Sequence, residues 1–138
     1  MEYETYLVTF VYPTQVPNRV RTILLRDFWK PIGNRRLDKL RIAVGTLWRI
    51  LQLRRCLKST RPHIVIGNYA TTYGFYVSVC GFRPFVLFTY GSDVLVDPQI
   101  SFLHRWIAKK VIRSADLVLV DAEVSRSAVI SLGGSPQK

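Results

Sequence analysis

The chain has 138 residues, enough for one domain that buries roughly two-thirds of its unfolded surface and too few for two full ones. Apolar residues make up 49% and aromatics 12% of it, which excludes disorder over most of its length. Lys and Arg number 20 against 9 Asp and Glu, a net charge of +11, which calls for an anionic partner such as phosphate, a lipid headgroup or nucleic acid without choosing among them.

The opening MEYETYLVTF carries acids ahead of its apolar part and does not read as a secretory signal. Tyr6 to Tyr12, rich in β-branched and aromatic residues and stopped by Pro13, predicts a buried strand. From Pro13 to Asn34 the prolines, Asn18 and Gly33 predict a long connection with at most a short helix. Beyond it Leu37, Leu40, Val44, Leu47 and Leu51 recur at three- and four-residue spacing, while Arg and Lys fill much of the remainder up to Lys58. That pattern predicts a basic amphipathic helix over 35–58, ended by Arg61-Pro62. Its charged side is either a solvated face whose long stems cover apolar surface or a docking face for anionic lipid. In the second reading the membrane contacts are Arg35, Arg36, Lys39, Arg41, Trp48, Arg49, Arg54 and Arg55.

HIVIG, His63 to Gly67, predicts a short strand, and a helix follows from about Thr71 to Cys80, stopped by Gly81. Gly74 and the β-branched residues give that helix poor propensity, so burial must hold it. PFVLFTY (84–90) predicts the next strand, Gly91-Ser92-Asp93 a loop, and 101–113 a helix. ADLVLVD (115–121) predicts a last strand, before a helix N-capped by Asp121 and stopped by Gly133-Gly134. The longest apolar region, Ala70 to Tyr90, is broken by Arg83-Pro84 and by glycines, so no transmembrane helix is expected.

Short apolar strands alternating with helices imply parallel strands covered on both faces, an α/β fold with a Rossmann-like, doubly wound sheet. Ligands bind such sheets outside the carboxyl ends of the strands. Asn68 to Thr72, Gly91 to Asp93 and Asp121 to Glu123 should therefore share one edge. Gly91, Ser92 and Asp93 form either a turn whose Ser and Asp bond local amides or the mouth of a ligand crevice. Asn68, Tyr69, Thr71 and Thr72 read either as a Thr-capped strand-to-helix turn or as polar contacts to a ligand. Asp121 and Glu123 read as capping and first-turn acids. His63 and His104 have no ligand-spaced neighbours, so no metal site is expected, and Cys56 and Cys80 read as small core residues rather than a disulfide or nucleophiles.

RPHIVIGNYATTYG, FRPFVLFTYGSDVLVDP and SFLHRWIAKKVIRSADLVLVDAEVSRSAVISLGGSPQK, in that order and spacing, resemble the amino-terminal domain of family-four glycosyltransferases of the GT-B type. The resemblance runs from about Arg61 onward. It implies that 1–138 is an incomplete Rossmann-like domain of a GT-B architecture, lacking the family's opening strand, Gly-rich loop and helix, so that Tyr6 to Tyr12 corresponds to its second strand. It implies an acceptor side formed by Asn68, Tyr69, Thr71, Thr72, Gly91, Ser92 and Asp93, in which Gly91 admits a ligand to the backbone and Asp93 accepts from sugar hydroxyls or orients a neighbour. It further implies a nucleotide-sugar donor on a second domain or subunit, a sugar or lipid-linked acceptor, no cofactor or metal, and no activity of this chain alone. Where many relatives carry His-x-His, this chain has Ile66 and Asn68, and Tyr90 stands where a His often precedes Gly-Ser-Asp. The readings from other classes are a non-catalytic membrane-surface or partner module and, less favoured, nucleic acid binding, for which no recognised module is present.

Overall fold

A computed structural model describes residues 4–9, 15, 16, 18, 20–25, 33 and 35–137, without the side chains of Arg35 and Arg36. The chain divides into two compact units, Met1–Leu53 and Arg54–Lys138.

In the first unit, β1 (Thr5–Thr9) and β2 (Val20–Leu24) run parallel. Their register pairs Thr5 with Val20 through Thr9 with Leu24, and the Leu25 amide continues the ladder by donating to the Thr9 carbonyl at 2.8 Å. The part of the expected strand beyond Thr9 lies outside the described residues. β2 corrects the sequence expectation, which placed an irregular connection there. Val20-Arg21-Thr22-Ile23-Leu24 has the β-branched content of a strand, but it is too short to stand out between prolines.

α1 (Arg35–Thr60) starts in the first unit and ends in the second. The helix is where its periodicity predicts, yet the buried side chains are Ile50, Leu53, Cys56 and Leu57, while Leu37, Leu40, Val44, Leu47 and Leu51 stay 47–63% exposed. Its end is held locally: Ser59 and Thr60 hydroxyls donate to the Cys56 carbonyl, and Arg61 sits at φ 45° with its amide on the Leu57 carbonyl.

In the second unit β3 (Val65–Asn68), β4 (Phe85–Phe88) and β5 (Leu117–Leu119) form a three-stranded parallel sheet in that order. The α/β class and parallel strands expected from the sequence are present, distributed over two small sheets. Side chains in one row of a parallel register share a face. Phe85 and Leu87 of β4 point to one side and are fully buried, as are Ala108, Val111 and Ile112 of α5 (Phe102–Ser114). On the other side Ile66, Leu117 and Leu119 remain 40–57% exposed around a buried Val86.

The entry to β4 is braced by Asp116. One of its oxygens accepts from the Phe85 amide at 2.8 Å and the other pairs with Arg83. After β3 the chain makes a wide π-type turn, Tyr69–Gly74, that runs into α2 (Phe75–Cys80). Weak helix formers, Thr71, Thr72 and Gly74, occupy that turn, and the space is tight. A Cβ on Gly74 would stand 2.8 Å from Leu87 Cδ1 and 3.1 Å from the Tyr69 carbonyl oxygen. α2 ends at Gly81 in the left-handed conformation, φ 69°.

The stretch expected as a loop after β4 is helical: α3 (Ser92–Leu95) begins directly after Gly91, and α4 (Asp97–Ile100) follows. Ser101 N-caps α5, its hydroxyl accepting from the His104 amide. α6 (Glu123–Ser131) has Ala122 rather than Asp121 at its N-cap. The Asp121 carboxylate instead accepts from the Ser125 hydroxyl at 3.0 Å, one turn into the helix.

Candidate functional site

Parallel strands bring their carboxyl ends to one edge, and a chain of hydrogen bonds ties those ends together. Asp93 is completely buried. One of its oxygens accepts from the Ala70 amide, just past β3, at 2.7 Å, and the other accepts from the Tyr90 amide, just past β4, at 3.0 Å. Each is a charge-assisted bond to main chain. The second matches the local-turn reading of Gly91-Ser92-Asp93, whereas the first reaches 23 positions back along the sequence. Both carboxylate oxygens thus face protein amides, and neither reaches solvent where a sugar hydroxyl would lie.

The β4 tip is joined to the β5 tip by a second link. Gly91 is buried, at φ 81° and ψ −56°, a conformation open to glycine alone at little cost. A Cβ there would stand 3.5 Å from the hydroxyl of buried Ser125, the group that bonds Asp121 after β5. Thr89, also fully buried, donates through its amide to the Leu119 carbonyl at 3.0 Å.

Above this frame the rim is open. Asn68, Thr72, Tyr90 and Ser92 are exposed. Tyr69 adopts φ 65°, an unfavourable backbone state for a bulky residue, and its phenol oxygen lies 3.3 Å from the Ser92 hydroxyl. Beside it an open cleft of about 550 Å³ is lined by Tyr69, Thr71, Thr72, Tyr73, Asp97, His104 and Ile107, a volume in the range of small-molecule sites. The Thr71 hydroxyl donates to Asp97 Oδ2 at 2.5 Å, fixing that carboxylate at the cleft wall. His104 Nδ1 lies 2.8 Å from the Ser101 hydroxyl.

Of the residues singled out from the sequence, Tyr69, Thr71 and Thr72 line the cleft. Asn68 is adjacent to it, Ser92 reaches its edge through Tyr69, and Gly91 and Asp93 lie beneath, in the frame. Asp97 and His104 were not picked out. Asp97 belongs to no recognisable spacing, and His104 has no ligand-spaced neighbour in the sequence; their shared cleft comes from the fold.

The cation-rich helix is a separate matter. Lys39, Trp48, Arg54 and Arg55 are exposed and Arg41 and Arg49 half-buried, while the side chains of Arg35 and Arg36 lie outside the described residues. Arg54 donates to the Val79 carbonyl in the last turn of α2 at 3.0 Å, so it closes a helix end. Burial pushes both thiols above the ordinary value. For Cys80 the nearby Arg54 guanidinium pulls partly the other way. Among the described residues no three His, Cys, Asp or Glu side chains are grouped so as to hold a metal ion, and no helix is long and apolar enough to cross a membrane.

A family model described as glycosyl transferase 4-like matches residues 30–122, more than half of the chain. No curated protein and no solved structure matches it. The matched span takes in α1, β3, β4 and β5, the three strand tips joined through Asp93 and Thr89, and every residue lining the cleft. The chain belongs to the glycosyl transferase 4-like family.

Proposed function

We propose that the chain supplies the acceptor side of a glycosyl transfer, in which a sugar moves from a nucleotide-sugar donor to a hydroxyl of a lipid-linked glycan or polysaccharide precursor. In that reaction the bond from the sugar's C1 to the diphosphate breaks, the bond from C1 to the acceptor oxygen forms, and the hydroxyl proton leaves. The observation that carries the reading is the make-up of the cleft. Tyr69 and Tyr73 offer aromatic surface, and Thr71, Thr72 and Asp97 offer hydroxyl and carboxylate oxygens at a strand-tip edge. Apolar faces combined with convergent polar groups suit a sugar ring. The acceptor residues are then Tyr69, Thr71 and Thr72, with Asn68 and Ser92 at the rim, while Gly91 and Asp93 act from beneath by shaping the edge.

The donor belongs on a second domain or subunit, and catalysis depends on holding both substrates together. In this reading the reaction runs on the cytoplasmic side of a membrane. The test is saturation-transfer NMR of the full chain with oligosaccharides. Transfer to the glycan is expected from the native protein and lost in Thr72→Arg, which fills the cleft from an exposed position. A glycan signal indifferent to Thr72→Arg, or a nucleotide sugar competing for the same cleft, would overturn the reading.

One feature favours a second reading, a non-catalytic module at a membrane surface. Leu40 and Leu47 of α1 are each 63% exposed, in a helix that also carries Lys39, Arg41, Trp48, Arg54 and Arg55. Sedimentation with anionic vesicles, undiminished when Thr72→Arg abolishes glycan binding, would separate this property from the first.

A further inference from the structure

A second exposed apolar region lies in the Arg54–Lys138 unit. Ile100 at the end of α4 is 63% exposed, and Phe102, Leu103 and Trp106 of α5 are 84%, 60% and 48% exposed. Single exposed apolar side chains are ordinary, but a contiguous group of this size marks an interaction surface. Phe102, Trp106 and Lys110 follow at four-residue spacing, which stacks them along one side of the helix. Ala108, Val111 and Ile112 occupy the buried side. Lys110 Nζ lies 5.2 Å from the centre of the Trp106 ring. Arg105 and Lys109 flank the row, and the sequence of α5 contains no acid.

We propose that this side of α5, with Ile100 ahead of it, docks on the headgroup region of an anionic bilayer. Phe102, Leu103 and Trp106 enter the boundary between headgroups and acyl chains, and Arg105, Lys109 and Lys110 meet the lipid phosphates. Charge complementarity selects this occupant. The patch is cationic without a compensating acid, its aromatics include the Trp that favours that boundary, and long cationic stems keep their heads in the polar layer while their methylenes lie in the apolar one. The surface is distinct from α1. His104 and Ile107 of the same helix line the cleft, so docking holds the cleft at the lipid surface, where a lipid-linked acceptor arrives. That last consequence rests on the proposed acceptor role, whereas the docking does not.

The chain has three tryptophans, so Trp29→Phe with Trp48→Phe leaves Trp106 as the sole reporter in the full chain. On titration with phosphatidylglycerol-containing vesicles, its emission should shift to the blue and be quenched by lipids brominated along the acyl chain, with little response to pure phosphatidylcholine. Phe102→Ser, at a site too exposed to disturb folding, should weaken vesicle binding roughly tenfold or more, the loss expected from one aromatic burial. Lys109→Glu with Lys110→Glu should weaken binding and flatten its salt dependence. Three outcomes would overturn the proposal: Trp106 unquenched while a Trp48-only chain is quenched, which assigns attachment to α1; an emission shift that follows protein concentration without lipid, which makes the patch an interface between copies; and no response to vesicles at all. None of these depends on glycan binding.

Discussion

Replacing Asp93 is expected to loosen the whole strand-tip edge, because its carboxylate is the group that joins two of the three tips. In Asp93→Ala the Ala70 and Tyr90 amides both lose their acceptor, a carboxylate with no solvent exposure. A hydrogen bond to a charged group contributes about 1.5–3 kcal/mol, so the two together amount to about 3–6 kcal/mol. A unit of this size has a total stability of only about 4–13 kcal/mol. With a urea slope of roughly 1–1.5 kcal/mol per molar, the unfolding midpoint should fall by at least about 2 M. Asp93→Asn keeps one acceptor oxygen but turns an NH₂ toward the other amide, and should lie about halfway between. The assay is urea unfolding followed by circular dichroism, paired with hydrogen exchange at the Ala70 amide, which is expected to lose protection in both variants. A midpoint unchanged in Asp93→Ala, or an Ala70 amide as protected as in the native chain, would refute the reasoning and return Asp93 to the ligand-facing role that the family resemblance implies.

Gly74→Ala sets a Cβ against Leu87 Cδ1 and the Tyr69 carbonyl; overpacking of this kind costs about 1–3 kcal/mol and should appear as a lower thermal midpoint. Both thiols ionise above their ordinary value in the native chain, so iodoacetamide should modify them more slowly in native than in urea-unfolded protein at the same pH. Above about pH 8.5 the unfolded chain releases these protons first, and it then binds fewer protons than the native state. Stability should therefore decline as pH rises through that range; Cys56→Ala with Cys80→Ala should flatten the decline, and an identical slope in that variant would contradict the assignment.

The parts of the fold that could be read ahead of the structure were those whose signal is local. HIVIG, PFVLFTY and ADLVLVD are continuous apolar runs between turn residues; the last two each contain a strand and the first holds all of one but its final residue, Asn68. Gly81 and the α1 periodicity are equally self-contained. The shared edge also followed, since parallel strands leave no other place for their tips. What escaped depended on partners far along the chain. Asp93 belongs to a turn by spacing, and its bond to the Ala70 amide exists only after β3 and β4 pair. The apolar row on α1 shows why periodicity is incomplete evidence: it tells which side chains share a face but not what covers them, and the buried set turned out to be Ile50, Leu53, Cys56 and Leu57. In the same way the expected helix over 101–113 is present, but the sequence does not tell that Phe102 stays 84% exposed.

β4 is gripped at both extremities by carboxylates that hold main chain, Asp116 at its start and Asp93 just past its finish. Backbone amides are common to every residue except proline, so this scaffolding is indifferent to which side chains decorate the positions around it. Asn68, Thr72 and Ser92 can then be exchanged for other letters without unsettling what lies underneath. A lineage built on such a frame can acquire new ligand preferences one surface substitution at a time.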